Sequence, residues 1–487
     1  MKLGSQWTPF LLAAAGQLLL LAATPPALPA QADPGPAAAF ERLKRDPQGL
    51  ERALRAMPKG GELHNHLSGA VPFDKQLKIA IRHNYRAAFA RDTGEACGWA
   101  RPDKEPDWSG LCPSGEIYYK SAEGLSDAER KSLEAALTAD FTDGEREEAN
   151  GFVEIVRIFR RLGALTENAD VMPELVQAVM EVASANRVSY VELKLNPLDR
   201  EDARGNKVKI EELVARLAAA VEEKNRELRD SGPVTVKFIV LVIRGNTQSP
   251  GGPTDIAEIA CRPECPARLR QAYYLAARRL AGVVVGMDLA GLPETEVRTA
   301  AYLPIAIRIL REEFGEAAIT LHAGETRNPE WRHHIAQALE AGARRIGHGF
   351  NLHEADEATR RRICQGDIAI ETSLTSNHLL GLVPQGNLGA HPFPRYLRAE
   401  ICPADARPAE GYLPVTLNTD DPGVFETDLS KEFFQAVTTF DLTWDEVMRI
   451  CRNSLERAFA TRKERQSLLQ RWEEEMVAFE ATVLSSP

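Results

Sequence analysis

From Phe152 onward, short apolar runs alternate with stretches whose apolar residues recur at helical spacing. The runs are Val188–Leu195, Val234–Ile243, Val283–Leu289, Ala318–His322, Ile346–His348, Ile368–Thr372 and Val415–Asn418, with Gly61–His66 ahead of them. Between most of them lie amphipathic segments such as Ile210–Leu228, Pro266–Ala281 and Ile335–Ala341. Short strands, many rich in Val and Ile and separated by helices, predict a parallel sheet. Eight of them predict an α/β fold, a (β/α)₈ TIM-type barrel, in which chemistry gathers at the C-terminal strand ends. An open doubly wound sheet is the competing architecture, but the glycine-rich fingerprint after its first strand is absent.

Two regions break this alternation. At the N-terminus, Lys2 precedes an apolar stretch through Leu21, and Ala30-Gln31-Ala32 closes it with small residues. This pattern predicts a signal peptide over 1–32, with secretion or release to the periplasm and no stable membrane association after cleavage. The competing reading is an uncleaved anchor, against which Gly16 and Gln17 interrupt an apolar run already short of the ~20 residues a span needs. Residues 33–56 read as a linker running into a helix, and barrel-like material begins at 57 and continues to 487. The second break, about 86–150, is rich in Gly, Pro and Trp, then charged and helical from Ser126 to Leu137. It reads as a loop and helical insertion after the first strand, packed over one end of the domain.

Composition narrows the class of partner. The chain has 487 residues and a formal charge of −11, which argues against a nucleic-acid binder needing a basic face. Seven Cys fit an exported chain. Cys97 with Cys112, and Cys261 with Cys265, are candidate local bridges, and the odd count leaves at least one thiol free.

Candidate chemistry sits at the strand ends, in Leu63-His64-Asn65-His66-Leu67, Leu321-His322-Ala323-Gly324-Glu325, Ile346-Gly347-His348-Gly349 and Asn418-Thr419-Asp420-Asp421-Pro422. Residues two apart on a strand face the same side, so His64 and His66 can reach one cation. Alone, His-x-His also describes two loop histidines. His322 adds a third imidazole, and Glu325, in the loop above, adds a carboxylate free to shuttle a proton beside a metal-activated water. A glutamate favoured by a helix N-terminus is the bland alternative. Asp420 or Asp421 can complete a metal shell with oxygen, or the pair can simply initiate a turn before Pro422. His348 can orient water or stabilise negative charge, or be a buried histidine satisfied by backbone. His83, His353 and His391 read as structural or solvent-facing, His333 and His334 at a helix start as structural, and His378 is a weaker candidate.

These islands resemble the adenosine deaminase family. Met57-Pro58-Lys59 leading into Glu62–Ala70 is similar to its opening motif. Asp288-Leu289-Ala290-Gly291, His322–Glu325, Arg345–Gly349, Ser373–Asn377 and Leu417–Pro422 are similar to its later motifs, in the same order. The resemblance runs from about Met57 to the C-terminus, less the insertion. It implies one Zn²⁺ per chain held by His64, His66, His322 and Asp420. It also implies that Glu325 protonates the purine ring, that His348 positions the attacking hydroxide, and that Asp421 and the Gly291 backbone contact the base. The implied reaction is hydrolytic loss of ammonia from the 6-position of adenosine or deoxyadenosine, giving inosine or its deoxy form. A small purine nucleoside is then the partner. Ser68 stands where adenosine-specific members carry an Asp that contacts ribose, so another 6-aminopurine or a nucleotide stays open as substrate. The export signal and Cys-bearing insertion resemble the secreted growth-factor-type branch, which leaves open a secreted binding protein without catalysis.

Overall fold

A computed structural model describes residues 35–112, 115–139, 148–244, 267–291, 302–331, 333–383 and 387–484. Eight parallel strands form its centre: β1 (Gly60–His66), β2 (Val188–Leu195), β3 (Thr235–Ile243), β4 (Val284–Ala290), β5 (Thr320–Ala323), β6 (Arg345–His348), β7 (Ala369–Thr372) and β8 (Val415–Leu417). β1 to β4 pair in chain order, and so do β5 to β8. Isolated parallel bridges Met287↔Ile319 and Asn65↔Asp420 join the two halves. The sheet therefore closes into the expected barrel, and each expected strand is present.

The strands form because both of their faces are covered. In β3 every residue from Val236 to Val242 is buried, the inner face by the barrel and the outer by helices. The helix Ile210–Glu227 turns Leu213, Val214, Leu217 and Ala220 inward at helical spacing. Within the linker and helix expected over 33–56, the described residues form two helices, Gly35–Leu43 and Pro47–Ala56, the second with Pro in its first turn. The first is anchored by Phe40, whose ring lies 5.2 Å from that of Trp444.

The insertion differs from the expected loop and helix. It contains an antiparallel sheet in which Arg86–Ala90 pairs with both Ala96–Ala100 and Ile117–Ser121. It also follows a helix, Phe73–Arg82, so it interrupts the barrel after the first strand–helix unit. The strand pattern is weak because Arg-Ala-Ala-Phe-Ala and Ala-Cys-Gly-Trp-Ala lack β-branched residues. Small residues are needed there: a Cβ on Gly98 would stand 2.7 Å from the Arg161 carbonyl oxygen. The Ala139 N–H donates to the Val424 carbonyl at 2.8 Å, tying the insertion to the loop after β8.

Cys97 and Cys112 are bonded, as their spacing predicts. A second bridge, Cys364–Cys402, spans 38 positions and was not foreseeable from spacing. Cys451 is buried and free. The signal segment over 1–32 and the Cys261–Cys265 pair lie outside the described residues. Among the described residues, no helix is long and apolar enough to cross a membrane.

Candidate metal centre and active site

The strand ends bring the histidines and Asp420 together. β1 carries His64 and His66, and the loop after β8 zips onto it. The Asp420 N–H donates to the His64 carbonyl at 3.0 Å, and the His66 N–H to the Asp420 carbonyl at 2.8 Å. Asp420 and His348 both hold left-handed backbone, with φ of +65° and +60°. Side-chain-bearing residues persist in that region only where surroundings over-determine them, commonly at functional sites. His64 Nε2 lies 3.1 Å from His66 Nε2 and 3.2 Å from His322 Nε2. Asp420 Oδ1 is 3.2 Å from both His64 Nε2 and His66 Nε2. Its other oxygen accepts from Ser376 Oγ at 2.7 Å. Gly347 lets the rings converge, since a Cβ there would stand 3.0 Å from His64 Cε1.

The ring nitrogens facing away from the cluster show what the cluster fits. His64 Nδ1 lies 2.8 Å from Glu371 Oε2, and His322 Nδ1 lies 2.9 Å from Asp288 Oδ2. A carboxylate accepts, so His64 Nδ1 carries the proton and its Nε2 presents a lone pair, and the Asp288 charge beside His322 Nδ1 favours the same tautomer there. Two lone pairs 3.2 Å apart, beside a carboxylate, repel unless a cation sits among them. Neutral imidazoles oriented by carboxylates, plus one Asp oxygen, are a donor set that fits Zn²⁺. Burial drives His66 well below the usual histidine range, and takes His322 down to about 4 against the pull of Asp288. Asp420 stays far below the carboxylate range despite its burial, because His348, His64 and His66 surround it. Ligand atoms of His64, His322, His348 and Asp420 all lie within 4.8 Å of one another, so proximity alone leaves His66 and His348 as rivals for the third imidazole.

Beneath the donors the barrel is filled by a buried ion network. Lys194 Nζ stands 2.7 Å from Asp288 Oδ2 and 3.2 Å from Glu371 Oε2, all three side chains fully enclosed. Arg345 contacts Glu371 and Glu192 at 2.5 Å each. Thr320 Oγ1 donates to Glu371 at 2.8 Å, and Tyr190 OH to Glu192 at 2.7 Å. These groups received no role from the sequence. The available signal was a charge inside an otherwise apolar strand, Lys194 in β2 and Glu371 in β7, where a solvated charge has no place.

The remaining predicted residues surround the donors. Glu325 follows β5 through Gly324, whose φ is +72°, and its Oε1 lies 3.4 Å from His348 Nε2. Asp421 Oδ1 is buried and has no hydrogen-bond partner among the described residues. Burial, with Asp420 and Glu325 nearby, raises the Asp421 carboxyl well above its ordinary range. Gly291 has φ of +130°, and its carbonyl accepts from Arg244 Nη1 at 2.8 Å. Ser68 is half-buried, two residues beyond His66. His83 pairs with Glu174 at 2.7 Å and His353 with the Tyr396 hydroxyl at 3.0 Å, away from the cluster. His378 is half-buried and joins no cluster of ligand atoms among the described residues. Of the two readings of His391, structural or solvent-facing, the structure shows a buried histidine. Its Nε2 lies 3.1 Å from Asn377 Oδ1, one residue removed from His348. Its loop position hid this, because the contact joins two separate segments.

Comparison with known proteins identifies relatives of the chain. The sequence profile described as adenosine deaminase matches residues 125–475. The adenosine deaminase of Klebsiella pneumoniae strain 342 is 30% identical over 298 residues, 60% of this chain and 74% of the relative. That of Escherichia coli O1:K1 is 30% identical over 299 residues, with the same coverage. In fold, the chain is similar to adenine deaminase from Arthrobacter aurescens, with TM-score 0.55 and 20% identity over 86% of this chain and 98% of that one. It is also similar to an amidohydrolase from Burkholderia ambifaria solved with bound Zn, with TM-score 0.58 and 19% identity over 90% and 95%. The N6-methyl-AMP deaminase of Arabidopsis thaliana gives TM-score 0.55 and 20% identity over 87% and 98%. With its profile match covering most of the barrel, and with a cluster of residues able to hold a metal, the chain belongs to the adenosine deaminase family, a family of metal-dependent hydrolases acting on small purines.

Proposed function

We propose that the protein is an exported, zinc-dependent adenosine deaminase that converts adenosine or deoxyadenosine, with water, to inosine or deoxyinosine and ammonia. The observation that carries this reading is the convergence of His64, His66, His322 and Asp420 beside Glu325 and His348. The first four hold the metal, which, when bound, supplies Lewis acidity that makes water nucleophilic near neutral pH. Glu325 accepts a proton from the attacking water and delivers it to the purine ring nitrogen beside the reacting carbon. His348 donates a hydrogen bond that orients that water. Asp421, whose carboxyl is pushed up by burial and its acidic neighbours, offers a base nitrogen its Oδ1, which has no hydrogen-bond partner among the described residues. The Gly291 backbone borders the base, with its carbonyl fixed by Arg244. Ser68 favours a second reading within the same chemistry, a different 6-aminopurine or a nucleotide, because a hydroxyl replaces a carboxylate that would repel phosphate.

Purified protein is expected to release ammonia from adenosine in a zinc-dependent manner. A chelator abolishes turnover and added Zn²⁺ restores it. A panel of adenosine, deoxyadenosine, adenine, AMP and N6-methyl-AMP ranks substrates by kcat/KM. Turnover of AMP above adenosine selects the nucleotide reading. Turnover of none, with zinc bound, sinks the deaminase assignment.

Export is supported by the N-terminal pattern and by the Cys97–Cys112 and Cys364–Cys402 bridges, since disulfides persist in oxidising compartments. N-terminal sequencing of the mature protein is expected to begin near Asp33. An intact Met1 on protein recovered from the cytosol removes this part of the proposal.

A further inference from the structure

A directed hydrogen-bond chain leads from a loop backbone into the site. The Phe393 N–H donates to His391 Nδ1 at 3.0 Å. A backbone N–H can only donate, so His391 Nδ1 is an acceptor and its proton sits on Nε2. His391 Nε2 faces Asn377 Oδ1 at 3.1 Å, and an N–H there requires the amide oxygen opposite it. This orients the Asn377 amide, whose Nδ2 then faces His348 Nδ1 at 3.1 Å. An amide NH₂ has no lone pair to offer, so His348 Nδ1 must accept and its proton sits on Nε2. That nitrogen has no hydrogen-bond partner among the described residues and lies 3.4 Å from Glu325 Oε1. The relay is enclosed, with Asn377 fully buried and His391 only 3% exposed. The Phe350 ring meets His391 edge-on at 5.1 Å. Burial takes the His391 imidazole down to about 3, so it stays neutral.

We infer that Asn377 and His391 are positioning residues that lock His348 as the Nε2–H tautomer, making it a hydrogen-bond donor to the site and not a metal ligand. The inference deepens the deaminase reading and rests on it for the word positioning. It also resolves the rivalry left by distance alone. A protonated Nε2 has no lone pair for a cation, so His66 supplies the third imidazole.

The test uses full-length, zinc-loaded protein with ¹⁵N-labelled histidine. Long-range ¹H–¹⁵N correlation is expected to show the proton on Nε2 of both His348 and His391. Asn377→Asp removes the amide donor and presents only acceptors. The His348 proton then moves to Nδ1, and kcat falls about 10²–10⁴-fold, the range for losing a positioned proton donor. Zinc content and KM change little. His391→Gln keeps an N–H toward Asn377 Oδ1 and retains most of kcat, whereas His391→Leu loses it. A wild-type His348 carrying its proton on Nδ1, or His391→Gln as impaired as His391→Leu, overturns the inference. If His391→Leu fails to fold, the wild-type spectrum and the near-isosteric Asn377→Asp still decide it. Absence of any purine deamination sinks the proposed function and leaves the tautomer readout standing.

Discussion

Replacing Glu325 with Gln is expected to leave a folded, metal-loaded protein whose kcat for ammonia release is lower by about 10²–10⁴-fold. Gln matches Glu in shape, so the pocket where Glu325 sits, 7% exposed, keeps its packing. What disappears is a group that takes up and returns a proton. Glu325 approaches His348 at 3.4 Å and is not one of the four residues proposed to hold the metal, so metal content is expected to stay at the wild-type level. Steady-state kinetics with metal analysis of the same preparation checks both halves. Wild-type turnover in the variant would remove the proton shuttle from Glu325, and loss of metal would make it a ligand instead.

The second large effect is on stability. Arg345→Met is expected to destabilise the fold by about 3–5 kcal/mol, the cost of leaving a buried partner charge uncompensated. Arg345 is 1% exposed. It holds Glu192 and Glu371 at 2.5 Å each and donates to the Arg457 carbonyl at 2.9 Å. Its guanidinium also lies 3.7 Å from the centre of the Phe459 ring. Methionine fills comparable volume without the charge, so the carboxylates lose their counter-ion while packing is largely kept. The midpoint of denaturant unfolding reads the effect. Adding Glu192→Gln to the Met variant is expected to recover part of the loss, because one orphaned charge is removed. A single variant within 1 kcal/mol of wild type, as an order-of-magnitude threshold, would show that the network relaxes or hydrates.

The barrel was legible because its strands are apolar on both faces, and runs such as Val234–Ile243 have no other stable reading. His64, His66, His322, His348 and Asp420 were legible because each ends such a run, and the end of a barrel strand is a defined place. The insertion's sheet was not, since Ala-rich strands owe their form to what packs on them. The carboxylates behind the histidines were hidden for a different reason. Glu371 stands 307 positions from His64 in the chain, and only closure of the barrel brings them together. His391 was hidden likewise, its contact depending on an amide 14 positions away on the helix Leu374–Leu379. Periodicity reports which face a residue occupies and carries no information about who occupies the opposite one.

The two seams of the barrel have a consequence for how the molecule opens. Ladder pairing is continuous within β1–β4 and within β5–β8, but each junction between the halves is a single isolated bridge. His64 and His66 belong to the first half, and His322 and Asp420 to the second. A cation bound among them is therefore a further cross-link between the two halves, beside the buried Lys194–Glu371 and Arg345–Glu192 pairs that also span them. It adds about RT ln(1 + [L]/Kd) to the closed form. Amide hydrogen exchange around Asn65 and Ile319 is the place where that linkage shows, with protection rising on metal loading while strand centres such as Val240 stay unchanged.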